Sequence, residues 1–280
     1  MRKTSLLLLA LAVILSAGAW MARTQAPQAP AAPLTIEKVK DNLYAIIGDG
    51  GNVAVYVTDE GLIVVDDKFE RDYAEIMAKI RSVTDKPVRY VLNTHQHGDH
   101  TGGNQKMLDA GVEILAQQNA RANMVTGKQP GLPRVTFTAE TSVFLGGREV
   151  RARYFGRGHT NGDAMIYFPD AKVLHTGDLF VEGAPLIDYN GHGSAAEWVG
   201  TLDGVLHSGW DFDVVIPGHG KVSKPADLVS FRNNFERMRN QVTSMLNQGR
   251  SKDDIARMLA ADFTWPPTRS VDGIVAELRK

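Results

Sequence analysis

The sequence predicts an α/β fold, in which short strands alternate with amphipathic helices. The chain has 280 residues, of which 43% are apolar, so it can bury a large core. Short apolar runs separated by Gly, Asp and Pro recur along it, which is typical of strands. Between several runs, apolar residues at spacings of three and four indicate helices. Candidate metal ligands follow the strand-like runs directly, at the usual position of a site in a layered α/β fold.

The amino terminus has the pattern of an export signal. Two basic residues precede the apolar run Leu6–Leu15, which is followed by the small residues Ala17–Ala19. We expect residues 1–19 to be removed as a signal peptide, so that the mature protein is periplasmic or secreted. Cleavage after Ala26 is one alternative. Retention as an anchor is another, although the apolar run is short for a membrane span.

The rest of the chain divides into a linker and one folded domain. Residues 20–33 are rich in Ala, Pro and Gln, a composition that favours an extended linker. The domain is expected to cover residues 34–280, with C-terminal helices from about residue 225. We expect no stable membrane span in the mature chain.

Charge and composition exclude several kinds of protein. The formal net charge is −1, and it becomes −3 when the two basic residues of the leader are subtracted (−1 − 2). This balance offers no basic surface for nucleic acid, so we expect a small-molecule substrate instead. The chain has no cysteine, which excludes disulfides and a structural four-thiolate zinc site.

The first half of the domain is predicted as an antiparallel meander followed by alternating helices and strands. Turn signals rich in Gly and Asp separate the first runs. Apolar spacing indicates a helix between Arg71 and Val83, which Pro87 ends. Short helices through Leu108 and Val125 flank the last strand. The predicted strands are Tyr44–Ile47, Val53–Val57, Leu62–Val65, Val88–Leu92 and Val112–Ala116.

The second half repeats the alternation of strands and turns and then becomes helical. Ser194, with Glu197 three residues on, predicts a capping box at the start of a helix that ends at Leu206. Helical spacing from Asp227 onward and a second helix at Ser251–Ala261 are expected to cover the core. The predicted strands are Arg134–Thr138, Ser142–Leu145, Val150–Phe155, Ala164–Phe168, Val173–Thr176 and Val214–Ile216.

The motif HQHGDH, residues 95–100, predicts a metal site. His95 and His97 lie one residue apart, so in an extended chain their imidazoles point to the same side and can hold one ion. A turn into a helix at Gly98 would present Asp99 and His100 to a second ion. Imidazole and carboxylate ligands without thiolate suit zinc, with iron or manganese as substitutes. A solvated polar loop is the alternative.

Three more candidate ligands follow strand-like runs further along the chain. His159 lies in GHTNGD, Asp178 in HTGD and His219 in PGHG. Each motif is a turn directly after an apolar segment, and loops at strand ends commonly carry functional residues. We therefore expect these side chains to complete the site that residues 95–100 begin.

With these ligands in this order, residues 35–225 resemble the metallo-β-lactamase superfamily of metallohydrolases. The resemblance implies a four-layer αβ/βα sandwich, with the site at the edge between the two sheets. It also implies two zinc ions per chain, bridged by Asp178, and a catalytic Asp99 that orients a metal-bridging hydroxide. The implied ligands are His95, His97 and His159 for the first ion, and Asp99, His100 and His219 for the second.

The reaction implied by the resemblance is hydrolysis of a carbonyl substrate: an ester, lactone, thioester or amide. One alternative is an oxidoreductase similar to the sulfur dioxygenases of this fold, which use a single iron. The other is a true β-lactamase. β-Lactamases of the superfamily generally have cysteine or serine at the position of Asp178, whereas glyoxalase II, lactonases and related hydrolases resemble this chain better there. Glyoxalase II adds a helical substrate domain, for which the C-terminal tail here is short.

Four further residues are candidates for contacts to the ligands or the substrate: Asp66, His175, His192 and Tyr189. Asp66 follows a strand beside the metal loop, with a turn or cap role as the alternative. His175 lies three residues before Asp178, with plain packing as the alternative. His192 is a candidate proton donor to the substrate, with simple loop exposure as the alternative.

An apolar wall for the substrate is predicted from Phe180, Tyr189 and Leu132, which lie in loops near the ligands in sequence. Leu132 belongs to residues 127–133, which we expect to form a flap over the site. The alternatives are packing of these side chains onto the core and a plain surface connection at 127–133.

Overall fold

The structure, a computed structural model, describes residues 33–266 and 269–279. The predicted signal peptide, both cleavage positions and all but the last residue of the predicted linker lie outside the described residues, so they stay predictions. In the described part of the chain, no helix is long and apolar enough to cross a membrane.

The first of two sheets has seven strands whose order in space follows the chain. Neighbouring strands are antiparallel from β1 to β4 and parallel from β4 to β7. The change in direction coincides with the first helix of the chain, because parallel neighbours need a crossover connection. The strands are β1 Thr35–Lys40, β2 Leu43–Ile47, β3 Val53–Thr58, β4 Gly61–Val65, β5 Val88–Asn93, β6 Glu113–Gln117 and β7 Val135–Phe137.

The second sheet has five strands in the order β12-β11-β10-β9-β8. Its neighbours are antiparallel, except that β11 and β12 run parallel. The strands are β8 Glu140–Leu145, β9 Arg148–Tyr154, β10 Ala164–Phe168, β11 Val173–His175 and β12 Val214–Ile216.

Helices cover the outer faces of both sheets. Four come in the first half of the chain: α1 Tyr73–Arg81, α2 Gly98–Thr101, α3 Asn104–Asp109 and α4 Gln118–Thr126. Four come in the second half: α5 Ala195–Leu206, α6 Pro225–Asn247, α7 Lys252–Phe263 and α8 Val271–Leu278.

Three apolar cores separate four layers. Tyr56 of the first sheet meets Phe168 of the second in the core between the sheets. Ile76 and Met107 belong to the core between the first sheet and its helices. Trp198, which is fully buried, belongs to the core between the second sheet and α5 to α8. The predicted α/β fold class and its four-layer sandwich are confirmed.

The main errors of the prediction lie at the two ends of the domain. Neither strand β1 nor helix α8 is predicted from the sequence. The capping box at α5 is only half formed: Ser194 Oγ accepts from Glu197 N at 3.1 Å, but the Glu197 carboxylate pairs with Arg157 instead of returning to the cap. Because the Glu197 carboxylate is engaged by Arg157, it makes no hydrogen bond to the N–H of Ser194, which a complete capping box would require.

Parallel strand ends bring the predicted motifs to one edge. In the β11–β12 pair, His175 lies opposite Ile216. Asp178 and His219 each follow three residues later, so the two turns meet at the same end of the sheet. In the other sheet, Val65 of β4 pairs with Leu92 of β5, and the residues that follow both strands reach the same edge.

Candidate metal centre

His95, His97 and His159 form one half of the site, which we call the three-histidine half. His95 and His97 follow β5, and His159 lies between β9 and β10. Their inward ring nitrogens converge: His97 Nδ1 lies 3.1 Å from His95 Nε2 and 2.8 Å from His159 Nε2.

Two of these rings use their outward nitrogens as hydrogen-bond donors. His159 Nδ1 donates to the Leu186 carbonyl at 2.7 Å, and His97 Nε2 donates to Asp188 Oδ2 at 2.8 Å. A carbonyl and a carboxylate only accept, so in the neutral form of each ring the inward nitrogen carries a lone pair. Lone pairs that face one another across 2.8 Å are unfavourable without a cation between them. The donor set of this half therefore fits a metal ion.

Asp99, His100 and His219 form the second half, which we call the mixed half. Helix α2 begins at Gly98, as predicted, and presents Asp99 and His100 on its first turn. His219 Nε2 lies 3.3 Å from both His100 Nε2 and Asp99 Oδ2. This half is the more open one, because the His219 side chain is 36% exposed whereas that of His159 is 1% exposed.

Asp178 lies between the two halves. Its Oδ2 is 3.5 Å from His159 Nε2, and its Oδ1 is 3.1 Å from His100 Nε2 and 3.3 Å from His219 Nε2. Oδ1 is buried, yet no well-aligned hydrogen bond reaches it. A Cβ at Gly218 would stand 2.1 Å from this oxygen, so only glycine fits there. A carboxylate oxygen aimed at two imidazoles in this way suits a shared metal ligand.

All seven predicted ligands meet in two clusters. Within each cluster, the candidate ligand atoms lie within 4.8 Å of one another. The clusters are His95, His97, His159 and Asp178, and Asp99, His100 and His219.

The halves differ in their proton affinity. Burial lowers the pKa of His159 to about 4. Burial also acts to lower the pKa of His219, but the nearby carboxylates of Asp178 and Asp99 outweigh it and raise the pKa to about 9. Burial acts in the same direction on His100, and the carboxylates of Asp178 and Asp66 outweigh it, so that its pKa is raised. In the absence of metal, His100 and His219 of the mixed half therefore hold protons at neutral pH, whereas His95 and His159 of the three-histidine half do not.

Asp66 connects the ligands of the two halves. Its Oδ2 accepts from His100 Nδ1 at 2.8 Å and from the Thr94 hydroxyl at 2.7 Å. Because that hydroxyl donates to Asp66, it accepts from His95 Nδ1, 3.0 Å away. Asp66 thus orients His100 directly and His95 through Thr94. Asp66 therefore contacts a candidate ligand, which is one of its two predicted roles.

A buried lysine holds the turn against which His100 packs. Lys68 Nζ donates to the carbonyls of Asp49 and Gly51, at 2.9 and 2.6 Å. Burial lowers the pKa of Lys68 to about 8. A Cβ at Gly51 would stand 2.2 Å from the His100 ring, so this turn also requires glycine. The sequence alone does not predict that Lys68 supports this turn, because Lys68 follows two aspartates in a stretch typical of a polar turn.

His175 is fully buried and contacts backbone rather than a ligand. Its Nε2 donates to the Asn52 carbonyl at 3.0 Å, and its Nδ1 accepts from Gly177 N at 3.1 Å. Asn52 Nδ2 in turn donates to the carbonyls of Pro217 and Gly220, on either side of the His219 turn. His175 thus supports the backbone beside Asp178 without pointing at the metal cluster.

A segment that the prediction left out, residues 184–188, holds two of the three histidines. It supplies the Leu186 carbonyl to His159 and the Asp188 carboxylate to His97. The C-terminal segment holds it in turn. Arg269 Nη1 donates to the Ala184 carbonyl at 3.1 Å, and Ser270 Oγ bonds both the N–H and the carbonyl of Ile187, at 3.0 and 2.9 Å.

A groove of about 290 Å³ opens beside the cluster. It is at the small end of the range for ligand sites. Its lining residues are His97, Asp99, Asp178, Val181, Glu182, Ala184, Leu186, His219 and Arg269.

The predicted apolar wall is wrong in its residues. Tyr189 turns away from the groove, because its hydroxyl donates to Glu277 of α8 at 3.0 Å and its ring packs on that helix. Phe180 packs against Phe231 of α6, with ring centroids 5.2 Å apart. The alternative, packing onto the core, holds for both. The apolar part of the wall comes instead from Val181 and the 184–188 segment.

His192 and the predicted flap also lie outside the groove lining. His192 is exposed in its loop, which leaves its predicted contact with substrate without support. Residues 127–133, with Leu132, are tied to neighbouring helices. Gly131 N donates to Gln105 of α3 at 3.0 Å, and Arg121 of α4 donates to the Pro133 carbonyl at 2.9 Å. The surface connection is the better description of this loop.

Residues 46–245 match the family described as the metallo-beta-lactamase superfamily. This match covers more than half of the chain. The chain belongs to the metallo-beta-lactamase superfamily. It is therefore a hydrolase of the metallo-β-lactamase fold with a His/Asp metal-binding site.

Relatives and solved structures agree with this membership. The chain is 27% identical to a metallo-beta-lactamase type 2 of Bacillus cereus over 178 residues, 61% of this chain and 67% of the relative. It is 25% identical to one of Elizabethkingia meningoseptica over 194 residues, 66% and 78% of the two chains.

The fold is shared with solved metallo-β-lactamases. The DIM-1 enzyme superposes with a TM-score of 0.65 at 23% identity, over 74% of this chain and 99% of that one. The Pontibacter korlensis enzyme gives 0.66 at 20% identity, over 72% and 99%.

Proposed function

We propose that this protein is an exported hydrolase that uses two zinc ions to cleave an ester, lactone, thioester or amide. The observation that carries the proposal is Asp178, whose two oxygens face opposite halves of the site. Each half offers inward imidazole nitrogens, and a carboxylate between two cations lowers their mutual repulsion. The absence of thiolate ligands agrees with zinc held by nitrogen and oxygen.

Two zinc ions, when bound, supply an activated water near neutral pH and a Lewis acid for the substrate carbonyl. The protein supplies position and charge. Asp99 reaches the mixed half from the first turn of α2, and its carboxylate is ionised. Although burial acts to raise its pKa, the hydrogen bond to His219 and the charge of His100 lower it to about 2. Asp99 is thus available to orient the attacking water by accepting a hydrogen bond, and we assign it this catalytic role.

Metal analysis of protein purified without chelator tests the metal assignment. We expect about two zinc ions per chain and hydrolysis of a carbonyl substrate. One iron per chain, with oxygen consumption, would support the sulfur-dioxygenase-like alternative instead. Manganese or iron that restores hydrolysis to the metal-free protein would keep the hydrolase and change only the metal.

β-Lactam hydrolysis is the second candidate, because curated relatives are named metallo-beta-lactamases. We propose that it is weak here. A carboxylate fixed between the halves leaves less freedom for stabilising the leaving nitrogen of an opened lactam, which needs more help than an alkoxide or thiolate. A panel of esters, lactones, thioesters and penicillins on zinc-loaded protein tests this. Faster hydrolysis of penicillin than of every other substrate would overturn the preference.

Export remains part of the proposal on the strength of the leader sequence alone. Expression of the full chain in a Gram-negative host, followed by fractionation and mass measurement, tests it. We expect a periplasmic product that starts at residue 20 or 27. A cytoplasmic product of full mass would refute export, and a full-length product in the membrane fraction would support the anchor.

A further inference from the structure

Arg269 places a positive charge beside a candidate metal centre, which itself binds cations. It lines the same groove as His97, Asp99, Asp178 and His219. No other lysine or arginine of the described chain lines this groove. A guanidinium repels metal cations and cannot act as their ligand. Its place in the groove therefore calls for a partner other than the metal.

The structure holds Arg269 at this position from several sides. Its backbone carbonyl accepts from the indole N–H of Trp265 at 2.7 Å, and Trp265 is anchored in the core. Its own N–H donates to the Pro266 carbonyl at 3.0 Å. Its Nη1 donates to Ala184 at 3.1 Å, and the next residue, Ser270, is bonded to Ile187. The side chain is thus directed toward the groove before any ligand arrives.

Most of the hydrogen-bonding capacity of this guanidinium is unused. One of its five N–H groups reaches Ala184. Among the described residues, no carboxylate lies within 4.0 Å of it. Glu182, a carboxylate of the same groove lining that is not a candidate metal ligand, points away from Arg269, because its Oε2 accepts from Lys221 N at 3.2 Å. A planar fork of free N–H groups matches a carboxylate of the substrate.

The rest of the wall limits the size and polarity of that substrate. Val181, Ala184 and Leu186 give it apolar surface, and the volume of about 290 Å³ admits only a small molecule. We propose that the substrates are small carbonyl compounds that carry a carboxylate, which pairs with Arg269 while the scissile carbonyl lies at the metal cluster. This inference rests on the proposed hydrolase function and deepens it by naming the substrate class.

Two esters that differ only at the far end of the acyl chain test the proposal. 4-Nitrophenyl butyrate ends in a methyl group, and mono-4-nitrophenyl succinate ends in a carboxylate. We expect the ratio of their kcat/KM values, succinate over butyrate, to fall about 10- to 100-fold in Arg269→Met, as expected for a lost charge-assisted bond. Arg269→Lys should lose less. The ratio cancels differences in folded or metal-loaded fraction.

Arg257→Met is the matched control. Arg257 is an exposed arginine of α7 paired with Asp254, and its loss should leave the ratio unchanged. Calorimetric binding of N-phenylsuccinamic acid to the wild type and to Arg269→Met provides a second readout, since this amide carries the same carboxylate. We expect weaker binding by the variant, and a smaller effect of added salt on it.

The outcomes separate the two proposals. A ratio within twofold of the wild type in Arg269→Met, with equal binding of the amide, overturns the role of Arg269 and leaves the hydrolase intact. If the wild type cleaves neither ester, ester hydrolysis is refuted, and the calorimetric comparison still decides whether Arg269 binds the carboxylate.

Discussion

The two halves of the metal centre differ in what holds their ligands and in the protons that they carry. The three-histidine half donates its outward hydrogen bonds to Leu186, Asp188 and Thr94, and burial lowers the pKa of His159 to about 4. The mixed half pairs imidazoles with carboxylates, and the pKa of His219 is about 9. His159 therefore offers a free lone pair at neutral pH, whereas His219 must first release a proton.

This difference predicts the order in which the two metal ions bind. Three histidines are a zinc site in their own right, and His95 and His159 hold no proton at neutral pH, so we expect the three-histidine half to fill first. The mixed half depends on Asp178 for its shared carboxylate and on Asp99 for its charge. Loss of a ligand from the mixed half should therefore reduce activity more than loss of a ligand from the three-histidine half. The first ion should be lost only when the three-histidine half is damaged.

The largest expected effect is that of Asp99→Ala. Without this carboxylate the attacking water loses its orienting group, so kcat should fall by about 10³-fold or more even when zinc is replete. Turnover and zinc content are measured on the same sample. Asp41→Ala, which removes an exposed surface carboxylate paired with Lys38, is the control and should have wild-type activity. Wild-type rates in a metal-replete Asp99→Ala protein would refute the assigned role.

The variant Asp178→Ala should separate the halves. It removes the one member of the seven candidate ligands that faces both halves, so the zinc affinity of the mixed half should fall by about 100-fold or more, as expected for a lost charged ligand. The three-histidine half should keep its ion. Stepwise cobalt titration, followed by visible absorption, measures the two affinities. Two tightly bound ions in this variant would show that Asp178 is not the bridge.

A matched pair of variants, Asp66→Asn and Asp188→Asn, should differ in the half that each damages more. Asp66 orients His100 directly and reaches His95 only through Thr94, whereas Asp188 orients His97. Partners of this kind are typically worth about 10- to 100-fold in metal affinity. Asparagine keeps the shape of the side chain and tolerates the left-handed backbone at Asp66 (φ 60°). The same order of affinity loss in both halves for both variants would contradict the division.

The smallest expected effect is a difference in pH dependence. His219 is protonated at pH 7, because its pKa is raised to about 9, so an ion entering the mixed half must displace that proton. His100, whose pKa is also raised, holds a second proton, so the apparent metal affinity of this half should rise by about tenfold or more per pH unit below pH 9. The pKa of His159 is about 4, so His159 has no proton to release between pH 6 and 8, and the affinity of the three-histidine half should depend less on pH. Calorimetry in buffers of different ionisation enthalpy measures the protons released, and equal release from both halves would contradict this.

The ligands were accessible to sequence reasoning because each lies in a short motif directly after an apolar strand. Asp188 was not, since it bonds a histidine 91 residues away and no local pattern marks it. Ser270 and Ile187 are 83 residues apart, and the missed helix α8 lies beside them. The prediction that Tyr189 lines the groove is wrong because it rests on sequence position alone. Nearness to a ligand in sequence does not say toward which side a side chain points, and Glu277 decides it.

Arg269 and Ser270 hydrogen-bond to the 184–188 segment, and this affects which residues an expressed fragment must include. The family match ends at residue 245, and all seven candidate ligands lie before it. Expression of the matched region alone would nevertheless remove both residues that secure the backbone behind His97 and His159. Such a shortened product would retain all seven candidate ligands but lose the hydrogen bonds that hold the 184–188 segment against two of them. Screening of homologues for activity should therefore use boundaries that include the tail.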